Sequence, residues 1–250
     1  MKLALLSDIH GNLQAFDACL AHARAQGAEQ MALLGDLVGY GADPAAVVDR
    51  AQELAANGAF LVKGNHDALA VAPPAQVRTM GDSTAAWTHA QLDNSQLDFL
   101  NTLPLTARHG STMLVHASVK NPSHWRYMND CSAAGECLDA AAEWPEVRHI
   151  FCGHVHVQAL YKNDGDTLLK TVAPQPGIPL RTPSAHRWAA SIGSVGQPRD
   201  GEPRAMYAIF DTRKLQLTFH RVVYDHHAAA EAIRRAGLGN FFAGRLALGR

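Results

Sequence analysis

The chain has 250 residues, 47% of them hydrophobic, with 22 basic residues, 23 acidic residues and 14 histidines. This length and hydrophobic content suit one α/β domain over residues 1–250 with a sizeable core. The formal net charge of −1 excludes the basic stripe that follows a nucleic-acid backbone, so we expect no stable nucleic-acid complex and only local anion binding.

The N-terminal part of the chain repeats a strand followed by a helix. Short apolar runs predict strands that end at Asp8, at Asp36 and near Asn65. Helical periodicity and capping residues predict helices over 12–27 and 43–58. The polar strand ends lie roughly 30 positions apart, which is the length of a βαβ unit. We therefore expect parallel strands whose carboxyl ends, where open α/β sheets bind ligands, carry polar side chains.

The middle of the chain mixes helices and strands. The pattern predicts helical structure over 82–104 and then a β-hairpin that turns at Gly110 and ends at His116. A second helical pattern covers 131–144, and an apolar strand follows over 148–156.

The C-terminal part is predicted to be mostly β. Strand patterns occur within 157–174, around a turn at the tetrapeptide NDGD, and over 204–211 and 215–225. A closing helix is predicted over 226–236. The proline-rich stretch 173–186 is the one long irregular segment, and such loops are commonly functional.

The stretch FCGHVH places His154 and His156 two positions apart at the end of a predicted strand. In a continuing strand both side chains would lie on one face, so two imidazoles could converge on one small site. A pair of surface histidines in a turn is the alternative.

Side chains that can bind a metal ion follow each predicted strand where it ends. They are Asp8, His10, Asp36, Asn65, His66, His116, His154 and His156. Carboxylate, amide oxygen and imidazole without a thiolate favour two divalent ions such as manganese, iron, zinc or cobalt.

The ordered pattern DxH, GD, GNH with a following acid, H and GHxH resembles the calcineurin-like metallophosphoesterase superfamily. GSVGQPRDG at 193–201 resembles a bacterial small-phosphodiesterase, diadenosine tetraphosphatase-like subfamily. The resemblance implies two facing mixed β-sheets flanked by helices, a four-layer α/β/β/α sandwich. It implies one metal held by Asp8, His10, Asp36 and His156 and a second held by Asp36, Asn65, His116 and His154, with Asp36 bridging.

The same resemblance implies a phosphoesterase that hydrolyses small phosphodiesters or nucleotide-type substrates. Two metal ions would favour in-line attack on phosphorus by a hydroxide that bridges them. His66 would protonate the leaving oxygen, and Asp67 would orient His66 or hold it charged. His66 as a further metal ligand or hydrogen-bond donor is the alternative.

Three further residues are candidates for binding the substrate. Arg199 suits a phosphate group, although it has acidic neighbours to pair with. Asn12 suits a phosphate oxygen, although helix capping already accounts for it. Trp125 suits stacking on a nucleobase, although such side chains commonly pack. The loop of Trp125 and the proline-rich stretch would add Arg126 and Arg181 to this surface.

Other activities within the superfamily are alternatives. A phosphomonoesterase uses the same metal site, and a protein phosphatase would resemble GDxxDRG where this chain has GDLVGYG and lacks that arginine. A non-catalytic binding or scaffold module is disfavoured because every ligand of the pattern is present.

The four cysteines, Cys19, Cys131, Cys137 and Cys152, lack the spacing of a metal site and suggest buried residues in a reducing compartment. The segment MKLALLSD has too few apolar residues for a signal-peptide core, and no apolar run reaches the roughly 18 residues of a membrane span. We therefore expect a cytoplasmic protein with no membrane partner.

Overall fold

In the computed structural model, which describes residues 1–163, 170–172 and 174–250, the strands form two six-stranded mixed sheets. In chain order the strands are β1 (Lys2–Leu6), β2 (Gln30–Leu33), β3 (Phe60–Leu61), β4 (Thr106–His109), β5 (Thr112–Val115), β6 (His149–Cys152), β7 (Gln158–Asn163), β8 (Lys170–Val172), β9 (Leu180–Arg181), β10 (Arg187–Ile192), β11 (Ala205–Asp211) and β12 (Gln216–Val222).

Helices cover the outer faces of both sheets. They are α1 (Leu13–Ala25), α2 (Pro44–Ala56), α3 (Asn65–Val71), α4 (Met80–Gln91), α5 (Asn94–Thr102), α6 (Cys131–Ala140), α7 (His226–Arg235) and α8 (Asn240–Leu248), with short 3₁₀ turns at Pro122–His124 and Ala141–Glu143. Within the described ranges, no helix combines the length and the hydrophobicity that a membrane span requires.

Parallel pairing brings the predicted strand ends to one edge of each sheet. The first sheet has the order β3-β2-β1-β11-β12-β9, and the second has the order β4-β5-β6-β10-β7-β8. Strands β1, β2 and β3 run parallel to one another, as do β5, β6 and β10. The loops that follow these parallel strands therefore leave their sheets at a common edge.

Alternation along β1 shows how the layers are built. Leu3 and Leu5 face the second sheet and pack in a shared core with Phe151 and Phe210. Ala4 and Leu6 face the other way, into a core with α1 and α2. A third core joins the outer face of the second sheet to α6. Because side chains alternate along a strand, one sheet serves two cores, and the predicted four-layer sandwich is confirmed.

The helix boundaries at the first two units are as predicted. Asn12 precedes α1, and its Oδ1 accepts a hydrogen bond from the Ala15 N–H at 3.1 Å. Asp43 precedes α2 but makes no capping hydrogen bond with its side chain. The predicted break in the middle helical region lies between α4 and α5.

Several segments differ from the predicted pattern. Strand β3 is only two residues long, and Asn65 begins α3 instead of ending the strand. Strand β10 was not predicted, because its Ala-Ala-Ser interior has low strand propensity. Helix α8 was also missed, because Gly244 at its centre weakens the helical pattern. Cys131 is exposed rather than buried. The turn predicted at NDGD lies outside the described residues, except for Asn163.

A buried histidine gives the folded chain a predictable sensitivity to acid. His220 on β12 stacks on Tyr207 with ring centroids 4.8 Å apart. Burial, with a smaller effect of His22, lowers the pKa of His220 to about 4. An unfolded histidine titrates near pH 6.5. Between about pH 6.5 and 4 the unfolded state therefore binds a proton that the folded state does not, and stability falls as pH falls through this window.

We expect His220→Phe to lose less stability than the parent when the pH is lowered from 7 to 4.5, because the variant lacks this proton uptake on unfolding. Urea unfolding midpoints at both pH values measure the difference. His227→Gln changes an exposed histidine on α7 and should follow the parent. A decline in His220→Phe as steep as in the parent would show that His220 does not contribute.

Candidate metal centre

Five of the predicted ligands have left-handed backbone conformations. They are Asp8, His10, Asp36, His154 and His156, with φ of 54°, 51°, 51°, 65° and 62°. This region is unfavourable for residues with a side chain, and it persists where surrounding contacts enforce it. Here the Asp8 N–H donates to the Gly35 carbonyl at 3.0 Å, and the His10 N–H donates to the Asp36 carbonyl at 3.0 Å.

The two histidines of FCGHVH do not lie on a continuing strand as predicted. Strand β6 ends at Cys152, and both histidines follow it in left-handed turns. They reach different parts of the site: His156 lies with Asp8 and His10, whereas His154 lies with His116 and Asp36. The turn, and not strand alternation, therefore directs the two imidazoles.

We call Asp8, His10 and His156 the first cluster. Its ligand atoms lie within 4.8 Å of one another. His156 Nε2 is 3.1 Å from His10 Nε2 and 3.1 Å from Asp8 Oδ1. Asp36 Oδ2 is 3.8 Å from His10 Nε2, so the Asp36 carboxylate borders this cluster.

We call Asp36, His116 and His154 the second cluster, and its ligand atoms also lie within 4.8 Å of one another. His116 Nε2 is 3.3 Å from Asp36 Oδ2 and 3.1 Å from His154 Nδ1. Asn65 Oδ1 is 3.1 Å from His116 Nε2. The structure thus brings all seven predicted ligands into two adjoining groups, with Asp36 next to both.

Backbone carbonyls orient three of the imidazoles. A carbonyl oxygen only accepts hydrogen bonds, so each Nδ1 must carry a proton, and each Nε2 points into the site, where its deprotonated form can bind a metal ion. Such an outer hydrogen bond is the usual support of a metal-binding histidine. The pairs are His10 with Val38 at 3.1 Å, His116 with Leu34 at 2.8 Å and His156 with Gln197 at 2.6 Å.

The residues present fit divalent metal ions. Asp8 Oδ1 and His154 Nε2 are buried without a hydrogen-bond partner, and buried polar atoms normally have one. His10 Nε2 and His156 Nε2 face each other across 3.1 Å, a contact that is repulsive unless a proton or a metal ion lies between the two nitrogens. Ligand atoms around an ion with bonds of about 2.1 Å lie roughly 3 Å apart. A cation would satisfy all of these atoms.

Protonation states in the site also favour cation binding. Burial, together with His156, lowers the pKa of His10 well below its usual value. Burial, with His116, lowers the pKa of His154 to about 4. Burial alone would raise the pKa of Asp8 and Asp36, but neighbouring histidines hold both below the usual range. Two ionised carboxylates and two neutral imidazoles are the forms that bind metals.

His116 differs from the other two histidines. Burial acts to lower its pKa, but Asp36 and Asp8 outweigh burial and raise the pKa to about 9. With no metal ion bound, the imidazole therefore carries a second proton at neutral pH, and its positive charge faces the two carboxylates. Metal binding by His116 must release this proton.

Two glycines allow the backbone to approach the carboxylates. A Cβ on Gly153 would lie 2.1 Å from Asp8 Oδ2, and a Cβ on Gly64 would lie 2.1 Å from Asp36 Oδ1. At these positions the His154 N–H donates to Asp8 Oδ2 at 2.8 Å, and the His66 N–H donates to Asp36 Oδ1 at 2.8 Å. Only glycine leaves room for these contacts.

His66 and Asp67 lie beside the clusters, and no hydrogen bond between their side chains is described. The His66 ring is buried, with its centroid 5.0 Å from His10 and 4.4 Å from Tyr40. The Asp67 carboxylate is fully buried and accepts four backbone hydrogen bonds, from Asp36, Leu37, Val38 and Gly64. Burial and Asp36 raise the pKa of Asp67 to about 7, against the effect of these donors. Asp67 therefore positions the backbone of Asp36, and no described hydrogen bond joins it to the His66 imidazole.

The candidates for substrate binding have different environments. The Asn12 side chain is buried and fully engaged: its amide nitrogen donates to the Gly196 carbonyl at 2.9 Å and to the Tyr224 hydroxyl at 3.3 Å, which argues against a contact with substrate. Trp125 is half-buried, and its ring packs edge-to-face on the His116 ring with the two centroids 5.8 Å apart. The guanidinium carbon of Arg199 lies 6.0 Å from the centroid of the Tyr40 ring.

Two arginines that the sequence suggested for this surface have different surroundings. Arg126 pairs with Glu136 at 2.7 Å. Arg181 on β9 is opposite Gln216, at the end of the first sheet where β1 begins, whereas Asp8 follows the end of β1. Arg181 therefore lies away from the clusters, whereas the role of Arg126 stays a prediction.

Two tyrosines at the site were not predicted. Tyr127 stacks on the His154 ring with centroids 4.1 Å apart, and its side chain is 53% exposed. Tyr40 lies 4.7 Å from the His10 ring. Tyr40 stands between two glycines in GYG, a pattern that indicated a tight turn but gave no sign of which side chain the turn presents.

Comparisons with known proteins agree with this geometry. The model of the calcineurin-like phosphoesterase superfamily domain matches residues 1–215. An uncharacterized protein of Methanocaldococcus jannaschii is 32% identical over 254 residues, covering 99% of this chain and 98% of that protein. A metallophosphoesterase structure from Sphaerobacter thermophilus is similar with a TM-score of 0.88 and 34% identity, covering 100% of this chain and 99% of that one. A hypothetical protein from Pyrococcus horikoshii, with a TM-score of 0.78, 19% identity and coverage of 100% and 98%, shares the fold.

We expect the protein, purified without chelator, to contain close to two transition-metal ions per chain. Asp36→Asn should lose most of both ions because its carboxylate borders both clusters, and His154→Ala should lose about one. Elemental analysis measures the content, and His227→Ala, which changes an exposed histidine, should match the parent. Parental metal content in Asp36→Asn and His154→Ala would contradict the assignment.

Proposed function

The chain belongs to the calcineurin-like phosphoesterase superfamily, and we propose that it is a dinuclear metal-dependent phosphoesterase that hydrolyses small phosphodiesters or nucleotide-type substrates. The observation that carries the proposal is the pair of buried clusters that share Asp36. Asp8, His10, Asp36 and His156 would hold one ion, and Asp36, Asn65, His116 and His154 would hold the other.

Bound divalent cations would supply a positive site for a phosphoryl group and lower the pKa of water for attack on phosphorus. The protein's own residues prepare this chemistry. Carbonyl contacts fix the ring orientation of His10, His116 and His156 before any ligand binds. Burial excludes bulk water from Asp8 and Asp36, and charge interactions are stronger where water is excluded.

His66 is the proposed proton donor to the leaving oxygen. Its imidazole lies against His10 and Tyr40, at the border of the first cluster. It also forms a possible ligand group with His10 and Asp36, which supports the alternative role as a further ligand. The two roles differ in how activity depends on the leaving group, so kinetics can separate them.

Aromatic side chains around the second cluster support a substrate with a flat group. Trp125 contacts His116, and Tyr127 stacks on His154 with much of its surface exposed. Nucleobases stack on such rings with little preference for sequence. A phosphoprotein is a poorer candidate because the chain has GDLVGYG in place of the GDxxDRG pattern of protein phosphatases.

We expect a manganese-supplemented enzyme to have a higher kcat/KM for a nucleotide diester than for a simple phosphomonoester or a phosphopeptide. Trp125→Ala should lower the nucleotide value several-fold, because one stacking contact is lost, and Trp125→Phe should retain most of it. A phosphopeptide as the best substrate would exclude the nucleotide assignment. An unchanged nucleotide value in Trp125→Ala would exclude stacking on this residue while leaving the metal chemistry intact.

For His66 we expect His66→Ala to retain metal and lose turnover, by about 100-fold on esters with poor leaving groups. Esters of p-nitrophenol should lose much less, because this leaving group needs little protonation. Rates for a series of leaving groups, with metal content measured on the same samples, provide the test. Equal losses across the series, or loss of metal, would assign His66 to metal binding instead.

A further inference from the structure

The imidazole of His154 lacks the support that the other histidines of the two clusters have. Three of them, His10, His116 and His156, each bond a backbone carbonyl through Nδ1. His154 instead directs its Nδ1 to His116 Nε2 at 3.1 Å, and its buried Nε2 has no hydrogen-bond partner among the described residues. The His154 N–H donates to Asp8 Oδ2 at 2.8 Å, which fixes the backbone but does not fix the plane of the ring.

A stacked aromatic ring takes the place of the missing hydrogen bond. The Tyr127 ring lies on the His154 ring with centroids 4.1 Å apart and planes inclined by 22°. Aromatic rings in such a parallel arrangement attract each other. If the imidazole rotated, its edge would turn into the Tyr127 ring, so the stack restricts the plane of the imidazole. That plane determines where the Nδ1 of His154 points within the second cluster.

The loop that carries Tyr127 is attached to α6 on both sides of this residue. Arg126 pairs with Glu136 at 2.7 Å, and Lys120 pairs with the same carboxylate at 3.2 Å. Met128 is buried in the core that joins the second sheet to α6. Burial of Met128 is the stronger attachment, because exposed ion pairs stabilise little. The chain neighbours of Tyr127 therefore hold its ring over the imidazole.

Trp125 on the same loop provides a contrast. Its ring packs on the His116 ring with centroids 5.8 Å apart. His116 Nδ1 also donates to the Leu34 carbonyl at 2.8 Å, so this imidazole keeps its orientation without Trp125. No described carbonyl gives His154 the same support. Of the two rings that this loop places on the second cluster, only that of Tyr127 is needed to orient a ligand candidate.

We propose that Tyr127 is a positioning residue that orients His154 by stacking, and that it thereby sets the affinity of the second cluster for its metal ion. The inference rests on the proposed dinuclear function and adds a residue to it. Loss of the group that orients a metal-binding histidine lowers metal affinity by about 10- to 100-fold. Stacking is less directional than a hydrogen bond, so the lower value is expected. The first cluster keeps its carbonyl contacts and is unaffected.

The experiment titrates the full-length protein with Co²⁺ after treatment with a chelator. Calorimetry gives the dissociation constants of both ions, and the visible spectrum of bound Co²⁺ reports their coordination. We expect Tyr127→Ala to raise one dissociation constant about tenfold, with a spectral change for the same ion only. Tyr127→Leu fills the space without a planar ring and should act like Tyr127→Ala. Tyr127→Phe keeps the stacked ring and should match the parent, as should Trp125→Ala in both constants.

Two backgrounds assign the weakened ion to its cluster. In His10→Ala, which weakens the first cluster, the remaining ion reports on the second cluster, and adding Tyr127→Ala should again raise its dissociation constant about tenfold. In His154→Ala the remaining ion reports on the first cluster, and adding Tyr127→Ala should change nothing, because Tyr127 acts through His154. Melting temperatures of all variants identify any that unfold.

Three outcomes would overturn the positioning role while leaving the metal centre standing. They are unchanged dissociation constants in Tyr127→Ala and Tyr127→Leu, equal weakening of both ions, and a loss in Tyr127→Phe as large as in Tyr127→Ala, which would assign the effect to the hydroxyl. A parent that binds no Co²⁺ would refute the metal centre and this inference together. Parental binding of both ions without hydrolysis of any phosphoester would refute the proposed function alone.

Discussion

Two buried carboxylates that pair with histidines, and with no lysine or arginine among the described residues, constrain this structure more than any other feature. Asp8 and Asp36 are at most 1% exposed, and their charged neighbours in the described ion pairs are histidines alone. Burying a charge is very unfavourable unless hydrogen bonds and a counter-charge compensate. Backbone N–H groups supply part of this compensation, and the arrangement of histidine lone pairs leaves the remainder to a cation. The site therefore suits a metal ion, and its histidines surround the two carboxylates as further possible ligands.

Holding these carboxylates in place requires strained backbone, which the two sheets together enforce. The carbonyl of Asp8 accepts hydrogen bonds from Ser194 Oγ at 2.8 Å and from the Gly196 N–H at 2.9 Å, so the loop after β10 supports the loop after β1. On the other side, the buried Asp67 carboxylate holds the turn after β2 through four N–H groups. Ladder hydrogen bonds and buried cores make the strands rigid, and this rigidity allows left-handed residues to persist at their ends. Asp67 and Ser194, neither of which is a ligand candidate, therefore help to hold the backbone that positions Asp36 and Asp8.

The sequence predicted the features that depend on periodicity along the chain. It did not predict those that depend on contacts between residues distant in the chain. Apolar runs of fixed spacing located β1 and β2, and polar residues after each strand identified all seven ligand candidates, because parallel strands bring their ends together. The turn geometry of His154 and His156 could not be derived, since strand periodicity carries no information on where hydrogen bonding ends. Strand β10 was not predicted because burial between its neighbours β6 and β7, and not strand propensity, stabilises it. The different role of Asp67 depends on which N–H groups surround it, and only the folded chain shows them.

One helix beside the site lies outside the region of the chain that carries the ligand candidates. All seven ligand candidates lie before residue 157, within the segment 1–215 that matches the superfamily model. Helix α8 lies beyond that segment, and its Phe242 stacks on Tyr40, whose ring lies 4.7 Å from the His10 ring. A change in α8 can therefore alter the packing around Tyr40 without changing the strand pairing that positions the ligand candidates, because α8 takes no part in either sheet. Metal chemistry is indifferent to what is attached to the phosphoryl group, so a separately attached helix is a suitable place for selectivity. The same separation explains how a common centre can serve phosphoesters of different size within one fold.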